Sequence, residues 1–584
     1  MSLCQGTRTD IFFVSVNSRL IAIAGYANEM IANDSVKIFF EGRLDARSEL
    51  IRHLSANVNA TDSQLLLAAY LKWGQHCTDF LLGDFAFVIV DKSNENVFAA
   101  CDPMNMYPLY YHLSSDGVCF SSRARLLADL PGVSREVDKI ALMGWLSGWP
   151  DPQRSLFSHI HLLPSGHQLV WQDEKLRVNV FWQIDPAFSI RYPRLGDYAS
   201  HLSDVLSQSV ADRLRSKSEK ITAQLSGGLD STTVCAFAKQ HLLKQNRQLT
   251  CLSHSYEETD NCNETGLIHE VITHLDIRES HFLSAETYVD LNFNALYPPD
   301  FDSPGTVLSP RYIEELNLVQ ALGADVMLTG SGGDEMVWGH SLTYFQRLRR
   351  GEVSVIAEVI RGSREFDLPV LSTLLQLFLK PMLPERMLQM MRVVRGKKKH
   401  ALLPDWIPAA IIKRMNLDHH LFQESTVQFD NRALQARYEA LRRTSTMSSV
   451  RSYQNVANSL GIEVRHPFFD RRLAEFSFAI PDDLWIRDNY PKWLLRKTIN
   501  DKLPSSVVWK KNKVIFNRFF GKVIAQQADL IRHILSNTQL QDMGFIDNKK
   551  LLNSFDLVVK SKGRHLNVEL LYALLTQIWF QKYF

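Results

Sequence analysis

The stretch ITAQLSGGLDSTTVCAFA, beginning at Ile221, constrains this chain more than any other. An apolar run of strand-formers stops on Ser226-Gly227-Gly228, and a helix-friendly segment follows Asp230 and Ser231. In open parallel sheets ligands bind beyond the carboxyl ends of the strands, where helix N-termini turn their free amides outward. Gly227 and Gly228 let the backbone approach an anion and take positive φ, Ser226 and Ser231 add hydroxyls, and Asp230 supplies a hard oxygen for a magnesium ion bridging phosphates. The loop reads as a phosphate cradle. It is not a Walker A loop, because G-x-x-x-x-G-K-[ST] is absent.

The surrounding sequence says what kind of sheet carries this loop. KITAQL, LTCLSHSY, SHFLS and DVMLTG alternate with helical stretches such as TTVCAFAKQHLLKQ and TGLIHEVITHL, the α/β pattern of a parallel sheet with flanking helices. Beyond about residue 340 the chain reads as almost wholly helical. The first 185 residues are mainly short strands (IFFVSV, RLIAIAGY, VKIFFEG, FAFVIVD, NVFAACD) interrupted by helical patterns near TDSQLLLAAYLKW and VDKIALMGWLSG, an α+β layout. QIDPAFSIRYPRLGDY, with two prolines and little periodicity, marks the boundary, giving domains 1–185 and 196–584. With 584 residues, about two to four domains are expected.

Charge and cysteine usage exclude several classes. A net charge of +2 gives no global field toward nucleic acid or an anionic membrane. The seven cysteines are scattered and never spaced as CxxC, which fits buried thiols in a reduced cytoplasm. The start has no signal-peptide pattern, and Asp84 interrupts FLLGDFAFVIV, so no membrane span is expected. His269 and His274 are five apart, where HExxH needs four, so no zinc site is expected. Met387, Met390 and Met391 read as packing on a helix, and the basic run Arg392 to His400 as a solvated loop.

SGGLDS resembles the pyrophosphate loop of the ATP pyrophosphatases, and within that superfamily the chain resembles asparagine synthetase and its relatives along nearly its whole length. LTGSGGDE (Leu328 to Glu335) is similar to the second loop of that family, whose aspartate, here Asp334, shares the magnesium with Asp230. GIEVRHPFFDRRLAEF carries Glu463, Arg465 and Asp470, and YPKWLLRKTINDKLPSSVVWKKNKVIF resembles the C-terminal signature. The resemblance implies a magnesium ion and ATP as cofactors. Asp230 and Asp334 would then be the metal ligands, and Leu225, Ser226, Gly227, Gly228, Ser231, Ser253 and Gly330 would contact the nucleotide. It further implies that Lys492 contacts ATP, that Lys513 neutralises pyrophosphate, and that Glu463 is the candidate proton acceptor. The implied fold is an αββα sandwich of the Ntn-hydrolase type followed by an adenine nucleotide alpha hydrolase-like domain with many helices.

GRLDARSEL, GDFAFVIVD and DPMNMYPLYY resemble the glutamine-hydrolysing domain of asparagine synthetase, which works through a cysteine directly after the initiator methionine. Here that residue is Ser2, and Cys4 has no free amine unless two residues are trimmed. The Asn-Gly-Glu that holds glutamine is matched by Glu41, Gly42 and Arg43, a cation expected to repel the glutamine amine. Between the glycines of the second loop the synthetases carry glutamate and this chain Ser331, whereas β-lactam synthetases carry tyrosine and lasso peptide cyclases vary there. These features point to an inactive glutaminase-like domain and to a lasso peptide cyclase. Such an enzyme adenylates an Asp or Glu side chain of a precursor peptide and closes a macrolactam with the peptide's own amine, tethering supplying the effective molarity. A leader-binding protein and a leader peptidase are the partners that this resemblance implies, with neither nucleic acid nor membrane. Asparagine synthesis, β-lactam-type ligation, a tRNA-modifying ATP pyrophosphatase and a catalytically silent relative are the alternatives.

Overall fold

The computed structural model describes residues 10–584 apart from 17–18, 26–28, 33–34, 116, 257–261, 286–301, 306–308, 384–386, 388–402, 424, 444–445, 512–515, 562 and 564. Three sheets organise it. In the N-terminal half, β1 (Asp10–Val16), β2 (Arg19–Gly25), β7 (Tyr110–Ser114), β8 (Gly117–Ser121) and β9 (His161–Leu162) form a sheet in the order β1-β2-β8-β7-β9. The second sheet, in the order β11-β10-β6-β5-β4-β3, contains β3 (Glu29–Ala32), β4 (Val36–Leu44), β5 (Gly83–Asp91), β6 (Asn96–Cys101), β10 (His167–Gln172) and β11 (Lys175–Val180).

The two sheets stack because their strands alternate. Phe39, Val88, Val90, Val97 and Ala99 meet Val118 and Phe120 between them, while Ile38, Phe40, Phe87, Ile89 and Phe98 face outward onto the helices Arg47–Leu54 and Asp62–Trp73. Helices Ala124–Ala128 and Lys139–Ser147 cover the other side, and their apolar residues share a core with the C-terminal helices Asn548–Lys560 and Val568–Tyr583. The N-terminal half is thus an αββα sandwich.

The third sheet is wholly parallel: β12 (Ile221–Gln224), β13 (Leu249–Ser255), β14 (Glu279–Ser284), β15 (Val326–Leu328) and β16 (Glu463–Arg465), in the order β14-β13-β12-β15-β16. The chain winds outward from β12 to β14, then returns to lay β15 on the other side of β12. That reversal leaves a crevice between the carboxyl ends of β12 and β15. Beyond residue 340 the described elements are helices, as the sequence suggested, apart from three short strands. β16 completes the sheet, and β17 (Ile486–Arg487) with β18 (Tyr490–Pro491) forms a small hairpin; runs of two or three residues carry no readable period.

None of the six described cysteines is in a disulfide, and five of them are buried. Met387 is 48% exposed, so it does not pack as its helical spacing suggested; Met390, Met391 and the basic run lie outside the described residues, as do Ser2 and Cys4.

Candidate active site

The two loops meet at the crevice. Leu225, buried at the end of β12, donates its N–H to the Leu252 carbonyl at 2.8 Å, so the strand stays paired up to the glycines. Ser231 Oγ accepts from the Ser226 N–H at 3.0 Å and lies 2.8 Å from Ser226 Oγ, which folds the loop back onto the first turn of helix Leu229–Lys244. Gly228 is the cap residue of that helix, with φ −87°. Neither Gly227 nor Gly228 takes positive φ, contrary to the expectation from sequence. Gly227 is needed for room instead: a Cβ there would come within 2.9 Å of Glu264 Cβ.

The second loop, from Thr329 to Gly333, leads into the short helix Gly333–Val337 carrying Asp334. Its glycines are contact surfaces. A Cβ on Gly330 would lie 2.5 Å from the Ser231 amide nitrogen, and one on Gly333 2.5 Å from Asp230 Oδ1. Gly332, at φ +95°, is the one that needs a left-handed backbone, and it packs on Phe469. Asp230 and Asp334, 104 positions apart in sequence, are thereby brought together.

Lys492 joins them from the end of the β17-β18 hairpin, at φ +59°. Its Nζ stands 2.5 Å from Asp230 Oδ2 and 2.6 Å from Asp334 Oδ1, 5.3 Å from the Trp338 ring centroid, and the residue is 4% exposed. Burial works against the ammonium, yet the two carboxylates hold its pKa above the ordinary lysine value. Two carboxylates converging on one cationic point are the donor set a magnesium ion needs, with phosphate oxygens completing the shell. Ser253 Oγ, buried on β13 beside this loop, has no hydrogen-bond partner among the described residues, which suits a nucleotide contact. The residues present therefore fit magnesium and ATP. Lys513 lies outside the described residues.

Glu463 is not brought into this group. In the parallel register it pairs with Val326, at the end of β15 away from the loop, whereas Arg465 pairs with Leu328 at the loop end. Its carboxylate binds Arg465 Nη2 at 2.5 Å and Arg43 Nη1 at 3.1 Å. Burial raises its pKa, but the two guanidiniums outweigh that and bring it down to about 2. A carboxylate so placed and so acidic is a poor proton acceptor, which corrects the expectation for Glu463. Since its folded pKa is depressed, its contribution to stability is present above about pH 4.5 and lost as pH falls toward about 2. Glu463→Gln is expected to flatten acid unfolding in that window, measured by circular dichroism against pH, while leaving stability at pH 7 lower.

Sequence reasoning missed the cluster to which Glu463 belongs. Arg43, 1% exposed, also binds Asp45 at 2.7 Å and Asp84 at 2.7 Å. Arg213, equally buried, reaches Asp470 at 2.8 Å, Asp84 at 3.2 Å and Asp45 at 3.4 Å. Arg43, expected from sequence to repel a glutamine amine, has its charge satisfied by carboxylates from both halves of the chain. Arg43, Asp45, Asp84, Glu463 and Asp470 all lie in the motifs quoted above and Arg213 does not, but nothing in the sequence shows that they meet.

Comparison with known proteins places this geometry. Residues 201–581 match the family model for asparagine synthase, and residues 24–182 match the glutamine amidotransferase domain. Asparagine synthetase [glutamine-hydrolyzing] 3 of Bacillus subtilis is 23% identical over 580 residues, covering 94% of this chain and 88% of that protein. Asparagine synthetase [glutamine-hydrolyzing] 1 of the same organism is 25% identical over 81% of this chain and 74% of its own length. A putative asparagine synthetase [glutamine-hydrolyzing] of Mycobacterium bovis is 30% identical over 36% of this chain and 34% of its own. A glycine-rich loop at a strand end, two converging carboxylates and a family model spanning most of the chain agree: the protein belongs to the asparagine synthase family, whose members are ATP-dependent amide-forming ligases.

Proposed function

We propose that this ligase is a lasso peptide cyclase, joining an Asp or Glu side-chain carboxylate of a precursor peptide to that peptide's own α-amine. The observation that carries the reading is Arg43: the position that would hold glutamine in a glutaminase is committed, fully buried, to Asp45, Asp84 and Glu463. Without ammonia from glutamine, the nucleophile must arrive with the substrate, and a tethered amine does so at high effective molarity. Ser331, in place of the synthetases' glutamate, supports the same view.

In this reading the peptide carboxylate oxygen attacks the α-phosphorus of ATP, the bond to the β-phosphate breaks, and pyrophosphate leaves. The peptide amine then attacks the acyl carbon, loses a proton, and AMP departs. Ser226, Gly227, Gly228 and Ser231 hold the departing pyrophosphate at the helix N-terminus, and Lys492 and Lys513 offset its charge. Asp230 and Asp334 would hold the magnesium ion, which when bound supplies Lewis-acid stabilisation of phosphate charge. A leader-binding protein and a leader peptidase complete the proposed set of partners.

The test is incubation of the chain with Mg–ATP and a synthetic peptide bearing an N-terminal Gly and one internal Asp or Glu. AMP release with loss of one water from the peptide mass is expected, and glutamine with aspartate should yield no glutamate above background. Glutamate and asparagine appearing instead would assign the chain to glutamine-dependent asparagine synthesis.

A further inference from the structure

Between the sandwich and the helical region lies a cavity of about 390 Å³, within the range of roughly 300–1,000 Å³ typical of ligand pockets at domain interfaces. Met104 and Trp182 line it from the N-terminal side, and Tyr438, Leu441, Met447 and Phe469 from the other. Among the described residues no carboxylate or lysine lines it. Among the described lining residues the guanidinium of Arg442 is paired with Glu439 at 3.2 Å, and the imidazole of His167 is held by the Ser165 carbonyl at 2.8 Å. Amides and hydroxyls of Gln153, Gln183 and Ser425 complete the wall. Rings and thioethers beside neutral hydrogen-bonding groups suit an uncharged peptide segment and not a polyphosphate.

The walls are tied to the loop bearing Asp334 at three points. Phe469 packs on Gly332, where an added Cβ would lie 2.9 Å from its ring. Thr446 Oγ1, beside Met447, donates to Glu335 Oε1 at 2.5 Å. Arg437, on the helix Arg432–Arg442 that carries Tyr438 and Leu441, donates to the Met336 carbonyl at 2.8 Å. An occupant of the cavity therefore presses on the elements that position one of the two metal-site carboxylates.

We propose that this cavity seats an uncharged segment, rich in aromatic or aliphatic side chains, of the peptide whose carboxylate is activated; this rests on the reading of the substrate as a peptide. The probe is a synthetic peptide with an N-terminal Gly, one Asp, and p-benzoylphenylalanine in its uncharged tail, irradiated with the full chain and Mg–ATP. The excited ketone takes a hydrogen from a neighbouring C–H and the two carbons join, so the covalent mark reports contact independently of turnover. Mass spectrometry is expected to find it on Met104 or Met447. Filling the cavity by Leu441→Trp should cut the labelling about tenfold and raise KM for the peptide about tenfold. Val180→Trp on the opposite wall, at a residue 49% exposed, gives the same readout should Leu441→Trp fail to fold. Labelling confined to other residues, or unchanged in a folded filled variant, overturns the proposal. Labelling of Met104 or Met447 without AMP release leaves the cavity assignment standing and removes the cyclase reading.

Discussion

Asp230→Ala is expected to lower AMP formation about a thousandfold or more, with the fold intact. In the proposed function Asp230 is one of two carboxylates that would hold a magnesium ion at the transferred phosphates, so its loss would remove transition-state stabilisation of several kcal/mol, and about 4 kcal/mol is a factor of a thousand. The side chain is not a structural keystone: Lys492 keeps Asp334 as its partner at 2.6 Å, and the alanine Cβ opens space beside Gly333 where the carboxylate stood. Asp230→Asn keeps the shape and one oxygen ligand, so it should fall between the two. Titration calorimetry with Mg–ATP and AMP release under saturating substrate read the two effects separately. Turnover within tenfold of the unaltered protein in a folded Asp230→Ala variant would show that the reaction does not pass through this crevice.

The crevice was legible because its chemistry is local. SGGLDS and GSGGDE each carry a strand end, a set of glycines and a carboxylate within eight residues, and both lie where parallel strands hand over to helices. What each glycine is for was not legible. Gly330 and Gly333 exist to let the second loop touch Ser231 and Asp230, a fact of how two distant segments abut. β16 was invisible as a strand because three residues fit any pattern, and its register decides the role of Glu463. A sequence shows that Glu463 and Arg465 are two apart and therefore on one face, but not which end of the strand looks at the substrate. The cavity behind Phe469 is likewise assembled from segments more than 300 residues apart, from Met104 to Met447.

The interdomain cluster yields the second large effect. Arg43→Met is expected to destabilise the protein by about 3–5 kcal/mol, the scale seen when one partner of a buried ion pair is removed and the others stay buried. Arg43 alone spans Asp45, Asp84 and Glu463, so the variant leaves three carboxylates in a space where Arg213 already serves Asp45, Asp84 and Asp470. The sign of the pH dependence follows. Glu463 sits near pKa 2 partly because of the Arg43 guanidinium, and without it the folded-state pKa rises toward the ordinary value. Protonation then begins at higher pH, and the acid-unfolding midpoint moves upward. Arg43→Lys should recover only part of the loss, since an ammonium cannot make the forked contacts to Asp45 at 2.7 and 3.0 Å. Arg43→Glu should be the most destabilised, because it sets a fourth carboxylate against the other three. Thermal melts at pH 7 and pH 5 order the four proteins. A melting temperature for Arg43→Met equal to that of the unaltered chain would mean that the cluster does not join the two halves, and with it would go the argument that the glutamine position has been given over to holding them together.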